Sequence, residues 1–516
     1  MQLTNSLKRA ASLRPEAVSL QCGSRSLTWR DTIERTARLA GALNSLGLGQ
    51  GDRVAILAEN SDRYAIVYWA VFWSGGVVVP LNTRWNDTEI QFAVDDCGCT
   101  FLIVDDSFVE RACNLVHTTL PQVQLLFAGE PAASKGLVSI ENMMTSGDAI
   151  TDVGRCGEDC AGIFYTGGTT GAAKGVMLSH RAMWINALSL GYELGLTQDD
   201  RALNVAPLFH TAGTAMLFAL TIHAGSNAFL GRFETGAFFD AAARFQPTIT
   251  LLVPTMITAL TRGETHQISE LKSIRKLLYG AAPIPPKVRD RALELLPNVD
   301  FFHGYGLTEL GPIVSVLGPE AHRLHSGDSL AGGINSAGRA LPISEVDIVG
   351  PEGASLPLNT VGEIAVRSES AMSGYWGCEQ ATDAAERGGW FSTGDAGYLD
   401  NDGLLYVVDR IKDMIITGGE NVFSSEVENV ISEVDGVDEC AVVGLPDPHW
   451  GEVVAAFIVP IAKGGVEAEH VIDHCRQRIS SYKCPRRVIF ISEGLPKSAA
   501  GKIQKSLLRR ALLHGA

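Results

Sequence analysis

Up to about Asp409, apolar runs of strand length alternate with stretches of helical period. Thr28 to Leu46 predicts a helix, with Thr28 or Asp31 near its start and Gly47 just past its end. Arg53 to Ala58 is a short apolar run bounded by Gly51 and Asn60, hence a strand; Ser61 to Trp73 is helical again, and Val77 to Pro80 is a buried strand. The alternation returns at Leu125–Phe127, Ile249–Val253 and Lys276–Tyr279. Such alternation with β-branched runs predicts an α/β body of layered, largely parallel sheets and helices, built of several subdomains. The longest apolar stretch, Val67 to Leu81, is broken by Ser74, Gly75 and Gly76. It predicts a buried helix running into a buried strand, because it is too short to span a bilayer.

After Asp409 the texture changes. Ser425-x-x-Glu428 has the form of a capping box, and Val427, Val430, Ile431 and Val434 follow as one apolar helical face. Strands are predicted at Cys440–Gly444, Val453–Pro460 and Val488–Ser492, and a helix at Ala468–Ser480. This is a small α+β domain, with a basic stretch, Lys502 to Arg510, close to its end.

Composition narrows the function. A chain of 516 residues exceeds one ordinary core, and 46% hydrophobic with 19% charged residues suits a soluble globular enzyme. Lys plus Arg (42) against Asp plus Glu (58) leaves a formal charge of -16, which disfavours nucleic acid as a partner. The N-terminal segment has no apolar core of signal-peptide length, and the expected location is cytoplasmic. The ten cysteines are scattered, and Cys97-x-Cys99 and Cys156-x3-Cys160 lack a matching second pair, so reduced and mostly buried thiols are expected in place of zinc.

The strongest local signal is Tyr165-Thr-Gly-Gly-Thr-Thr-Gly-Ala-Ala-Lys-Gly175. Glycines let backbone N–H groups turn toward anionic oxygens, while the threonine hydroxyls and Lys174 add donors and positive charge. A Walker A loop would need Gly-Lys-Ser/Thr, and Lys174 stands between Ala173 and Gly175. By itself the loop indicates phosphate and no particular reaction.

The loop resembles the signature of the adenylate-forming superfamily: acyl-CoA synthetases, peptide synthetase adenylation domains and beetle luciferases. Other blocks follow in that family's order over essentially the whole chain: Pro207–Gly213, Tyr279–Pro283, Gly304–Glu309, Ser392–Asp395, Asp409–Asp413, Gly418–Asn421 and Pro496–Lys502. The motifs are most similar to those of bacterial fatty acyl-CoA ligases. The resemblance implies ATP, Mg²⁺ and coenzyme A as ligands. It implies an N-terminal AMP- and acyl-binding domain over 1–408, a hinge over 409–412 and a mobile C-terminal domain over 413–516.

The resemblance also implies roles. Thr166, Gly167, Gly168, Thr169, Thr170, Gly171 and Lys174 would hold phosphates, joined by Thr308. Glu309 would carry Mg²⁺, Asp395 would clamp the ribose, and Arg410 would be a second ribose or phosphate contact. Gly280, Ala281, Ala282 and Tyr305 would form an adenine slot, with Gly304 and Gly306 also binding ATP. Lys502, with Glu309 and Thr166, would carry the catalytic charge between carboxylate and α-phosphate. Lys412 matches the pivot; Gly418, Gly419, Trp450 and Tyr482, with Lys483 beside it, match positions near coenzyme A. His210, Ala212, Gly213, Gly306 and Gly311 would line the acyl pocket.

The sequence departs from the family pattern at Gly167, where serine is usual, at Ala173 in place of proline, at His303, and at Ser498. Leu208-Phe-His210 offers no carboxylate for a substrate ammonium, so an α-amino acid is disfavoured. The small residues Ala212, Gly213, Ala215, Gly306 and Gly311 are taken to leave room for a long or bulky tail, which favours a medium- or long-chain fatty acid. The alternatives are an aryl or phenylpropenoic acid, or an acyl-AMP ligase serving a carrier protein. Oligomeric state is not legible.

Overall fold

The computed structural model describes residues 1–130, 133, 136–167, 173–263, 265–282, 284–323, 331–461, 465–497 and 503–514. Its large N-terminal body rests on two sheets whose central strands are parallel. One runs, in spatial order, Arg339–Ala340, Ser315–Leu317, Asp300–Tyr305, Lys276–Gly280, Ile249–Leu252, Arg201–Asn204, Ser226–Phe229, Val18–Cys22, Arg25–Thr28. The other runs Gly374–Tyr375, Lys174–Ser179, Cys160–Thr166, Val77–Pro80, Arg53–Leu57, Phe101–Val104, Gln124–Phe127, Val138–Ser139.

The expected elements form where the pattern put them. Helix Trp29–Ser45 opens on a true capping box, in which Thr28 accepts from the Asp31 N–H and Asp31 accepts from the Thr28 N–H. Helix Asp62–Ser74 is buried along its whole length and runs straight into the buried strand Val77–Pro80. Its charged first turn is neutralised in place: Arg25 grips Asp62 at 2.6 and 2.9 Å, and Arg63 reaches Glu141 at 2.8 Å. Among the described residues no helix is long and apolar enough to cross a membrane. All ten cysteines are free thiols; Cys97, Cys99, Cys475 and Cys484 are buried, while Cys156 and Cys378 are exposed.

Three expectations need correction. Apart from Gly374–Tyr375, the strands from Ser344 to Arg410 do not continue the alternation but form an antiparallel sheet of Ser344–Val349, Gly362–Ser368, Trp390–Leu399, Glu386–Arg387 and Leu405–Arg410. Its neighbouring strands all pair antiparallel, so the chain returns along the sheet without a crossover helix. The Ser425/Glu428 capping box does not form. Helix Ser424–Ser432 is capped from outside by Asp409, which accepts from the Ser425 N–H, while Glu428 turns inward to the Val442 N–H. The helix predicted to Ser480 ends at Arg476, because the Cys475 carbonyl takes both the Arg478 and Ile479 N–H groups, each at 2.9 Å.

The small C-terminal domain packs helices Ser424–Ser432 and Ala468–Arg476 on a sheet of Glu420–Val422, Ile415–Thr417, Gly451–Pro460, Val437–Asp447 and Arg487–Phe490. Val427, Ile431 and Val434 are buried there, as their spacing required. Solvent-exposed contacts join it to the body: Arg262 pairs with Asp438 at 2.5 Å, and Lys287 meets the Glu433 carbonyl at 2.9 Å and Asp435 at 3.6 Å.

The interface between the body's two sheets is aromatic. The Phe218 ring lies 5.0 Å from Trp69, 5.9 Å from Tyr68 and 6.0 Å from Phe72. Phe218→Ala is expected to destabilise the body by about 3–5 kcal/mol, the range for truncating a buried aromatic side chain. Urea unfolding followed by circular dichroism measures it, and an unchanged midpoint would show that the cluster does not bear on stability.

Candidate active site

Strands Lys276–Gly280 and Asp300–Tyr305 run parallel and pair Gly280 with Gly304 at their C-terminal ends. Ligands of α/β sheets gather at such ends, where crossover loops leave a crevice. The chain leaves the first strand through Ala281, held at φ +68°, and the second through Gly306 into the turn Thr308–Leu310.

Tyr305 ends its strand with its hydroxyl donating to Asp395 Oδ2 at 2.7 Å. Asp395 is 3% exposed, and its other oxygen takes the Arg410 Nε at 2.7 Å. Asp395 and Arg410 face each other across paired antiparallel strands, so the backbone register sets their meeting. Burial first, and the neighbouring Asp395 charge second, push the Tyr305 phenol well above its ordinary value; it stays a donor. Lys412 stands on the turn Ile411–Asp413 just beyond; burial lowers its ammonium, with Asp413 opposing and Arg410 assisting.

A second group lies one turn along the chain. The Glu309 Oε1 accepts the Tyr375 hydroxyl at 3.1 Å, and its backbone carbonyl accepts from the Met372 N–H. Lys174 Nζ sits 4.8 Å from the centre of the Tyr375 ring, so the glycine-rich loop's lysine rests on the same tyrosine that Glu309 holds. Thr308 Oγ1 lies 3.4 Å from Thr211 Oγ1, at the start of helix Thr211–Ile222, whose N-cap is His210. The His210 ring packs against Phe209, with centroids 4.5 Å apart.

The loop itself springs from a hairpin in which Thr166 pairs with Lys174. Its base is fixed by groups that the sequence did not single out. Tyr165 donates to Asp96 Oδ2 at 2.5 Å, and Trp376 donates its backbone N–H to Gly175 and its indole N–H to the Asp96 carbonyl. Tyr375 and Trp376 were missed; two aromatics after Ser373-Gly374 were the available signal. Gly168, Thr169, Thr170 and Gly171 lie outside the described residues, as do Pro283, Ser498 and Lys502.

In the small domain Gly418 has φ +59°, donates its N–H to the Trp450 carbonyl, and lies flat enough that an added Cβ would be 2.9 Å from the indole. Gly419 follows at φ +86°. The guanidinium of Arg486 stacks 4.4 Å from the Trp450 ring centre. Tyr482 stands on the turn Ser481–Lys483, where Lys483 is bound to Glu426 at 2.7 and 2.8 Å.

The glycines expected to widen an acyl pocket are small for another reason. A Cβ at Gly213 would overlap the Pro207 carbonyl, one at Gly306 the Pro312 carbonyl, and one at Gly311 would come 2.7 Å from the Ser370 carbonyl. Their missing side chains are spent on close backbone packing, so they do not measure room for a tail. Ala212 packs partly against the core.

Comparison with known proteins agrees with this layout. Residues 7–376 match the AMP-binding enzyme family and residues 426–502 the AMP-binding enzyme C-terminal domain. A feruloyl-CoA synthase of an Amycolatopsis species is 37% identical over 503 residues, 97% of each chain. A long-chain-fatty-acid–CoA ligase of Mycobacterium tuberculosis is 32% identical over 474 residues, 92% of this chain and 90% of that one. The solved o-succinylbenzoate CoA synthetase of Bacillus subtilis, in complex with its acyl-adenylate intermediate, superposes with a TM-score of 0.85 at 30% identity, covering 98% of both chains.

Two glycines separate close packing from open space. Gly306→Ala is expected to cost about 10²-fold or more in turnover, since displacement of about 1 Å at a site has that effect. Gly236→Ala, outside the site and with nothing within 4 Å of its added Cβ, is expected to retain turnover near that of the parent protein. Steady-state pyrophosphate release compares them, and equal behaviour of the two variants would refute the steric argument.

Proposed function

The chain belongs to the AMP-binding enzyme family and is an AMP-forming acyl-CoA synthetase, and we propose that the acid it activates is an aryl or arylalkenoic acid. The observation that carries the catalytic reading is the convergence of Tyr305, Asp395 and Arg410 on one side and Lys174, Tyr375, Glu309 and Thr308 on the other. Two relatives with aromatic acids in their names support the aryl acid over the fatty acid favoured by residue size, a preference whose glycine argument fails at Gly213, Gly306 and Gly311.

In the reading we favour, a carboxylate oxygen attacks the α-phosphorus of ATP and pyrophosphate leaves; the coenzyme A thiol then attacks the acyl carbon and AMP leaves. Two anions meet in the first step, so catalysis consists largely of placing donors where charge develops. Asp395 accepts from ribose hydroxyls, with Arg410 flanking; both carboxylate oxygens have partners in the protein, so ribose would share or replace them. The strand ends at Gly280–Ala282 and Gly304–Gly306 offer a flat backbone surface to the base. Lys174, Thr166, Thr308 and Gly167 to Gly171 are the proposed phosphate contacts, and Lys502 is the proposed lysine for the carboxylate and α-phosphate.

Glu309 fits Mg²⁺ by donor type: one oxygen is held by Tyr375, which fixes the carboxylate's orientation. Among the described residues no three His, Cys, Asp or Glu side chains form a metal cage, so the ion would be shared with phosphate oxygens. Bound there, Mg²⁺ would neutralise phosphate charge. Lys412 is the proposed hinge between a body over 1–408 and a C-terminal domain over 413–516. Gly418, Gly419, Trp450 and Tyr482 are the proposed coenzyme A contacts; a Trp450 face already stacked by Arg486 would present base and guanidinium to one ring. His210 and Ala212 are proposed to border the acyl pocket.

A panel of acids scored for ATP- and CoA-dependent thioester tests the substrate. Phenylpropenoic and arylacetic acids are expected to exceed C8–C16 fatty acids in kcat/KM, and the reverse order would restore the fatty acid. Pyrophosphate release with no thioester from any acid would point to an acyl-AMP ligase.

Lys502→Ala is expected to lower pyrophosphate release by about 10²–10³-fold, the scale for one preorganised donor. Thioester formation from supplied acyl-AMP and CoA should remain. Equal losses in both half-reactions would remove Lys502 from the adenylation step.

A further inference from the structure

The basic stretch near the C-terminus turns inward. Lys505, the first residue of helix Lys505–His514, pairs with Glu428 at 2.7 Å, with 15% and 21% of the two side chains exposed. Arg509 donates to the Gly444 carbonyl at 2.8 Å and to Glu452 at 3.1 Å. Taking such a pair out of water costs more than the attraction returns unless the remaining donors and acceptors are filled. Here they are filled in sequence. Glu428 also accepts from the Val442 N–H at 2.7 Å. Lys505 donates to Ser424 Oγ at 2.5 Å, and Ser424 donates to Asp409 Oδ2 at 2.6 Å. The other Asp409 oxygen accepts from the Arg410 N–H at 2.8 Å, and Arg410 grips Asp395.

A row of charge-assisted bonds thus runs from the C-terminal helix to the carboxylate of the candidate nucleotide site. Burial drives the Glu428 carboxyl up against the pull of Lys505, while Glu428 and Asp409 hold the Lys505 ammonium above its ordinary value despite burial. Lys505 stands three residues after Lys502. The segment before Lys502 is also anchored: Lys497 pairs with Glu439 and bridges to Ile503, and the Gln504 N–H donates to the Pro496 carbonyl at 2.8 Å.

We propose that Lys505, through Glu428 and the Ser424–Asp409 relay, is a positioning residue for the adenylation half-reaction, tying the C-terminal helix to the strand that bears Arg410. It touches no substrate. The inference rests on the reading of Lys502 as the adenylation lysine.

Lys505→Met keeps the side chain's length and removes its charge. Pyrophosphate release should fall by about 10²-fold in kcat, the scale of a misplacement of about 1 Å, with the KM for ATP unchanged. Thioester formation from supplied acyl-AMP and CoA should stay at the parent rate, and Lys505→Arg should recover most of the loss. A purely structural role would depress both half-reactions together, and that outcome, or no change in either, overturns the proposal. Should Lys505→Met not fold, Ser424→Ala breaks the relay while leaving the ion pair; it should show the same adenylation-only loss, and an equal or absent loss overturns the proposal. Lys502→Ala, run alongside, keeps the two readings apart: if it spares adenylation, the assignment of Lys502 fails, whereas if it abolishes adenylation and Lys505→Met does not, only the present inference fails.

Discussion

A carboxylate removed from water must be met by donors or lose its charge, and Asp395 is the place where that demand organises the molecule. Its two oxygens are satisfied by groups from different parts of the fold: Tyr305 from the end of a parallel strand, and Arg410 from the last antiparallel strand before the small domain. Losing either partner would leave a buried charge half-solvated. The body's large sheet, its antiparallel sheet and the approach to the C-terminal domain are therefore in register at one side chain. From Tyr305 the chain turns at once to Thr308 and Glu309, so fixing the phenol also fixes the turn that faces Lys174 and Tyr375.

Much of this was legible before any coordinates. Thr28 with Asp31, the wholly apolar face of Asp62–Ser74, and the spacing of Val427, Ile431 and Val434 each state a local rule that the tertiary structure obeys. The blocks containing Tyr305, Glu309, Asp395 and Arg410 were also readable by resemblance; the structure joins Tyr305, Asp395 and Arg410 by hydrogen bonds and sets Glu309 against Tyr375. The failures share a cause. Ser425 and Glu428 look like reciprocal caps only while the chain is considered locally; Asp409 and Lys505, distant in sequence, outbid that arrangement. The glycines of the pocket looked like spare volume, yet the volume is filled by backbone from Pro207, Pro312 and Ser370. Tyr375 showed in the sequence only as one of two aromatics after Ser373-Gly374, because its role lies in meeting Glu309 across sixty-six positions of chain.

The formal charge of -16 poses a problem for a protein that binds an anionic nucleotide. The arrangement answers it locally. Arg63, Lys276, Lys505 and Arg509 are committed to internal carboxylates or carbonyls and add little field outside. Lys174 is different: it rests on an aromatic face, which steadies an ammonium without neutralising it.

The contacts of Arg262 and Lys287 with the 433–438 edge of the small domain are wet, and each is weak and open to screening. No apolar seal accompanies these pairs. Dissolved ions compete for the same charges. Raising the ionic strength of the medium therefore loosens these two pairs before it reaches the part-buried bonds that Ser424 and Ser425 make to Asp409.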